Sequence, residues 1–263
     1  MLVFLLTALA APAIAPANPQ ILNPRVKLVP PLSTSAVGSF HVLGTDTVGR
    51  DILSRIFYGG RVSLGIALSA VLVGGTVGIL VGLLGGYYGG ALDTVSMRIV
   101  DLQLSIPSIL LAVGIVALVG RSLTVLVVVI ALTTWIVFAR TVRGATLSLR
   151  HAVYVEAARA SGASDRRILF RQILPNTWTP IIVIASQQVA LAIVLESSLS
   201  FIGAGAPAAF PSWGTMVSDG RDYILTGAWW LVTFPGLAIS LTVMASNFLG
   251  DGLRDVLDPR LRL

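Results

Sequence analysis

Cysteine is absent from the 263 residues, which excludes disulfides, thiol catalysis and cysteine metal sites. Histidine occurs only twice, as His41 and His151. The two lie too far apart to suggest a ligand cluster, and each reads as an ordinary loop or interfacial residue. Charge is scarce as well. Asp, Glu, Lys and Arg make up 11% of the chain, against about 25% in an ordinary soluble domain. So few charges cannot clothe a water-facing surface, so much of this surface must face lipid. No Gly-rich Walker-type phosphate loop occurs, so the chain is not expected to hydrolyse ATP alone. Nor do the apolar runs hold the His/Asp/Ser or metal constellation that an intramembrane enzyme needs.

What is present is apolar. Hydrophobic residues make up 55% of the chain, and the mean hydropathy is +0.88. With ~20 residues per helical crossing, there is room for roughly five to seven spans. The apolar runs are continuous rather than alternating, so helices are expected and a barrel is not. Six runs stand out: 1–15, 61–84, 97–120 with Pro107 inside, 123–140, 178–202 and 229–249. The first is short and ends in Ala-Pro-rich sequence. No positive segment precedes it, so it reads as a first span rather than a signal peptide. The expected fold is an all-α polytopic membrane protein of about six transmembrane helices. Residues 1–60 form a first span and outer loop, and 61–263 form a core of five spans. Gly-Gly-Tyr-Tyr-Gly-Gly at 85–90 predicts a sharp turn. Gly74, Gly75, Gly78 and Gly82 predict a helix-packing face. Trp229 and Trp230 read as interfacial anchors. Asp93, Arg98 and Asp101 are expected to pair locally and fix a helix end.

The longest polar helical segment, 141–177, sets the orientation. Between 140 and 171 there are seven arginines (140, 143, 150, 159, 166, 167, 171) against Glu156 and Asp165, a net of +5. Positive residues near span ends stay cytoplasmic, which puts both termini inside. Arg254, Arg260 and Arg262 in the tail agree, whereas 17–61 carries five basic residues on the outer side. The overall charge of +6 thus reads as membrane topology and not as nucleic-acid binding. Within the segment, Ala157, Ala158 and Ala160 favour helix, and Gly162 permits the positive φ that ends one. Ser164 can cap a second helix, and Pro175 would break it and start the next span. A basic helix–glycine–helix hairpin is either a docking element or a solvated face lying on anionic lipid. Spacing alone leaves the two open.

The pattern Glu156-Ala157-Ala158, Gly162, Leu174-Pro175 resembles the cytoplasmic signature of ABC importer permeases, with Gln172 standing where an apolar residue is usual. Further segments are similar to the dipeptide, oligopeptide and nickel permeases. They are Leu43 to Arg55 with Arg61 to Leu64; 85–90 with Asp93; Met97 to Asp101; Ile106-Pro107-Ser108; Pro211 to Gly214 with Asp219 to Arg221; and a Gly250 to Arg260 tail like that of the C-type permease of the pair. The resemblance covers residues 43–263 and, more weakly, the first span. That family has cytoplasmic residues before its first span, so residue 1 is expected to be a misassigned start or that of a short variant.

The resemblance implies a type I ABC importer permease fold in the inner or plasma membrane of a prokaryote. It implies as partners a second, related permease, two ATPase subunits, an extracytoplasmic solute-binding protein and the bilayer. ATP and Mg belong to the ATPases, and no cofactor or metal is expected on this chain. The loop of Glu156, Ala157, Ala158, Arg159, Gly162, Ala163, Arg166, Arg167, Leu174 and Pro175 would couple the permease to an ATPase. The outer loop 17–60 and 211–222 are candidates for binding-protein contact. Glu196 lies inside the fifth span, where a charge costs on the order of 3 kcal/mol. Two readings stay open: a pathway-lining group, or a hydrogen-bonded carboxyl joining helices through Ser197, Ser198 or Ser200. A stand-alone secondary transporter or channel is the competing class. It would require inverted repeats and paired midplane charges, and neither is visible.

Overall fold

The computed structural model describes residues 1–257; Arg260, Arg262 and the end of the tail match lie outside the described residues. The first element, α1 (Leu2–Ile14), spans about 20 Å, short of the ~30 Å hydrocarbon core. It packs Ala8 and Ala11 against the rest of the chain. The following polar segment folds into more than a plain loop. A 3-10 turn at Pro24–Val26 precedes a small antiparallel pair, β1 (Ser33–Thr34) and β2 (Phe40–His41), with Ser33 opposite His41.

Helix α2 (Ile52–Tyr88) is 37 residues long, about 55 Å. It starts nine residues before the expected apolar boundary because Asp51 caps it. The Asp51 carboxylate accepts a bond from the Ser54 N–H at 2.8 Å, satisfying an amide that the helix start leaves unpaired. It stops at Gly89 and Gly90, with φ of +66° and +59°. There the left-handed conformation is open to glycine and costly for other residues.

The expected continuous third span is broken. Helices α3 (Gly90–Leu104) and α4 (Ser108–Val119) meet at an angle of 87°. Pro107 is the cause: it has no N–H to donate, its ring collides with the preceding turn, and it disfavours helical Ile106. Helix α5 (Leu123–Leu149) begins at the Ser122 cap, whose Oγ accepts from the Val125 N–H at 3.1 Å. It runs past the predicted end at 140. The glycine face of α2 packs on it as expected. A methyl added at Gly82 would lie 2.5 Å from the Ala139 carbonyl oxygen, and one at Gly78 would collide with the Trp135 carbonyl.

A short excursion follows: α6 (Val153–Ala160), α7 (Asp165–Ile168), a π-helical turn Leu169–Ile173 and α8 (Leu174–Asn176). The chain then forms α9 (Trp178–Phe201), α10 (Trp213–Gly220) and α11 (Trp230–Leu257). Helices α2, α5, α9 and α11 are long and apolar enough to cross a membrane, and the bent α3–α4 pair makes a fifth span. The six expected crossings thus correspond to four full spans, one broken span and the short α1. The core between them includes Leu64, Ala67, Leu126, Ile130, Phe138 and Ile193. Outward-facing residues such as Leu72 and Leu118 are largely exposed, as a lipid-facing surface requires.

Candidate functional site

The excursion after α5 is a hairpin with a built turn. Just past the end of α6 the Ala163 N–H reaches back to the Ala158 carbonyl and the Gly162 N–H to the Arg159 carbonyl, both at 3.0 Å. With Gly162 at φ +77°, this is a Schellman closure, which satisfies carbonyls orphaned at the helix end. Ser164 then caps α7, accepting from the Arg167 N–H at 3.4 Å. Pro175 does not break the chain as sharply as expected. The π-helical turn before it absorbs the missing donor, and the path continues through α8 into α9.

Val155, Ile168, Leu169 and Ile173 are buried and anchor the hairpin. Ala158, Ala163 and Leu174 are half-buried. Glu156, Ala157, Arg159, Arg166, Arg167 and Pro175 are exposed, as are Arg171 and Gly162. They share the outer surface with Val153, Tyr154 and Phe170. The predicted residues therefore fall into an inner and an outer set on one small element.

Polar hooks tie this element to the end of α2. Tyr87 Oη donates to Asp165 Oδ1 at 2.7 Å, and Arg159 Nη2 donates to Tyr87 Oη at 3.4 Å. The Arg159 guanidinium also stands 5.8 Å from the Tyr87 ring centroid, within cation–π range. The bond to Tyr87 pushes the Arg159 pKa further up. Arg150 Nη1 donates to the Gly86 carbonyl at 3.2 Å. Asp93 pairs with Arg143 of α5 at 2.5 and 2.7 Å, and not with Arg98 as expected. Tyr87 and the Asp93–Arg143 pair carried no readable signal as partners, because 85–90 reads as a turn and not as the last helical turn of α2.

Glu196 is fully buried. Ser63 Oγ of α2 donates to its Oε2 at 3.1 Å, and Ser200 Oγ donates to Oε1 at 2.8 Å. Ser63 in turn accepts from the Trp213 N–H at 3.2 Å. Ser212 and Thr215 form a reciprocal capping box at the start of α10. One carboxylate thus joins α2, α9 and α10. Ser200 was among its anticipated partners; Ser63 and the α10 cap, distant in sequence, were not. Ser198 bonds instead to the Val194 carbonyl in its own helix.

At the opposite end of α2 from Tyr87, Asp46 accepts from Arg50 Nε and Arg55 Nη1, both at 2.6 Å. Arg55 Nη2 reaches Asp219 at 3.4 Å, which joins the two candidate outer segments, 17–60 and 211–222. Trp230 is buried and donates to the Thr45 carbonyl at 3.2 Å. It is a packing residue and not the expected anchor, whereas Trp229 is exposed. His41, in β2, sits 2.9 Å from Asp51. Among the described residues no group of three or more His, Cys, Asp or Glu is placed to hold a metal.

The family model described as "Binding-protein-dependent transport system inner membrane component" matches residues 74–263. The di/tripeptide transport system permease protein of Pseudomonas aeruginosa is 42% identical over 265 positions, covering 100% of this chain and 86% of that protein. The glutathione transport system permease protein of Pectobacterium atrosepticum is 47% identical over 224 positions, covering 85% and 74%. Among solved structures, the inward-facing MetNI methionine ABC transporter superposes with a TM-score of 0.64 at 21% identity. The match covers 79% of this chain and 98% of that one, a likeness of fold.

Proposed function

The chain belongs to the family of binding-protein-dependent transport system inner membrane components, and we propose that it forms half of the pathway of an ATP-driven importer. The cargo is a di- or oligopeptide or a related small solute, the class named for its relatives. Its partners are a second, related permease, two ATPase subunits that use ATP and Mg, and an extracytoplasmic solute-binding protein. The chain itself performs no bond chemistry.

The observation that carries this reading is the hairpin 150–177. It is clamped from inside by four buried apolar residues and by Tyr87, yet shows the outside a mixed surface. Val153, Tyr154 and Phe170 are exposed among Glu156, Arg166, Arg167 and Arg171. Apolar anchors ringed by charges suit a protein groove, where the rim sets partner choice and register. A purely basic face would suit lipid alone. The hairpin end is cytoplasmic by its arginines, and the end bearing 17–51 faces outward. Movement of the docked hairpin passes through Tyr87 into α2. About 36 Å along that helix, Ser63 meets Glu196 and the α10 cap. Rigid-body displacement of a helix fixed at both ends is a route to alternating access. Glu196 acts here as a strut between helices.

Co-purification tests the proposal. A tag on this chain should bring down the ATPases from co-expressed subunits, and Glu156→Lys or replacement of 156–175 by a flexible linker should release them. Purification of the chain alone with ATP-independent transport in vesicles would instead establish the secondary-transporter class.

A further inference from the structure

The bend between α3 and α4 opens a groove of about 560 Å³, within the 300–1,000 Å³ of small-molecule sites. Gln103, Pro107 and Ser108 line it from the broken span, Thr133 from α5, and Gln188 and Leu195 from α9. It lies midway along the membrane-crossing helices. Thr133 is the eleventh of 27 residues in α5, and Gln188 the eleventh of 24 in α9. No charged side chain lines it among the described residues.

Two independent features of this groove point to a ligand. The first is the start of α4, which opens at Pro107 without a side-chain cap. The first bonded amides are those of Leu110 and Leu111, both to the Pro107 carbonyl. The Ser108 and Ile109 amides, which border the groove, find no acceptor among the described residues. A helix start presents such donors with the positive end of its dipole. The second is Gln188. Only 6% of it is exposed, it borders the groove, and its carboxamide has no hydrogen-bond partner among the described residues. Its amide atoms are not sealed from solvent, so they open onto the groove that Gln188 lines. Gln103, in the same groove, shows the contrast. Its Oε1 accepts from Trp135 Nε1 at 2.9 Å and its Nε2 donates to the Leu132 carbonyl, so both of its amide atoms are engaged in bracing the wall.

We propose that this groove is a transit station for the carboxylate terminus of a peptide, held by the Ser108 and Ile109 amides and the Gln188 carboxamide. The inference rests on the importer reading above and names a contact that reading lacks. All the donors are neutral, so a carboxylate meets hydrogen bonds and a dipole but no counter-ion. Such a site holds an anion briefly and lets it go, which conduction requires. The apolar part of the lining asks nothing specific of the peptide's side chains.

The test is saturation-transfer NMR on the assembled complex, purified without its binding protein, with dialanine and its C-terminal amide as probes. Dialanine should give a signal that the amide largely lacks. Gln188→Glu, which sets a second carboxylate against the first, should weaken dialanine binding about tenfold or more, the scale of one charge-assisted hydrogen bond. Gln188→Met keeps the shape and removes the donor. It should weaken binding several-fold, and it serves as the readout if the glutamate variant does not assemble. Equal binding of both probes, or variants that bind like the parent, would overturn the station. If the same complex with its binding protein still imports dialanine on ATP, the importer reading survives that result. Absence of both binding and ATP-driven uptake of dialanine would overturn the two together.

Discussion

Tyr87 gathers more of the proposed coupling than any single residue of the signature loop. Its hydroxyl touches Asp165 from one half of the hairpin and Arg159 from the other, while its ring underlies the Arg159 guanidinium. Tyr87→Phe removes the hydroxyl bonds and leaves the ring. Insertion and assembly should persist, while solute moved per ATP hydrolysed falls several-fold in vesicles where both are measured. An unchanged ratio would reject the coupling role. Glu196 makes a different demand. Glu196→Leu leaves Ser63 and Ser200 without their acceptor and should cost about 1–3 kcal/mol per orphaned buried group. The expected sign is a lower melting temperature and complex yield, with the solute preference of the surviving transporter unchanged. A shifted preference with intact yield would favour the pathway-lining reading. That Glu196 turns away from lipid was legible, because a charge in an apolar run is costly; whether it lines a path or joins helices stayed open, with Ser200 one turn away among the candidate partners. Ser63, 133 residues distant, was not, since pairing between spans depends on how helices rotate against each other.

Helix positions were readable from apolar runs, and helix ends much less so. Runs report where lipid begins, but caps and glycines decide where helices stop. Asp51 and Gly89 carry α2 well beyond its apolar stretch on both sides. Pro107 was visible in the third run, yet its consequence, a turn of 87° in place of one continuous span, depends on the groove walls that accept the bend. The hairpin was the most legible piece: the Gly162 closure and the Ser164 cap are local chemistry and stand where the sequence puts them. Gly162→Val forces a β-branched residue into left-handed backbone, at about 1–2 kcal/mol of strain. The chain should still insert but lose ATPase capture in the pull-down; full capture would show that the turn tolerates other conformations. Gly78→Leu addresses the helix pair itself. An added side chain there meets the Trp135 carbonyl and Phe138, so α2 and α5 must separate. Greatly reduced folded yield is the expected result, read by size-exclusion chromatography.

The chain as a whole has two differently built ends. One carries the salt-bridged cap of Asp46, Arg50, Arg55 and Asp219, the other the basic hairpin. Absence of cysteine makes their sidedness directly testable. Val37→Cys near β2 and Val153→Cys on α6 are both at exposed positions. An impermeant maleimide added to intact cells expressing this chain without ATPases should label the first and spare the second; the opposite pattern would invert the topology.

Between those ends, α2 is about 55 Å of unbroken helix, while the hydrocarbon of a bilayer is ~30 Å. Its Ile52 start is pinned by the Asp51 cap and the Asp46–Arg55 bridge, and its Tyr88 end by the hairpin. A straight helix fixed at both ends can answer a change in bilayer thickness by leaning. Leaning moves Tyr87 relative to the ATPases and Ser63 relative to Glu196. Lipid chain length therefore becomes an input to the pump, alongside nucleotide and solute, and turnover should peak at one acyl length and fall away on either side of it.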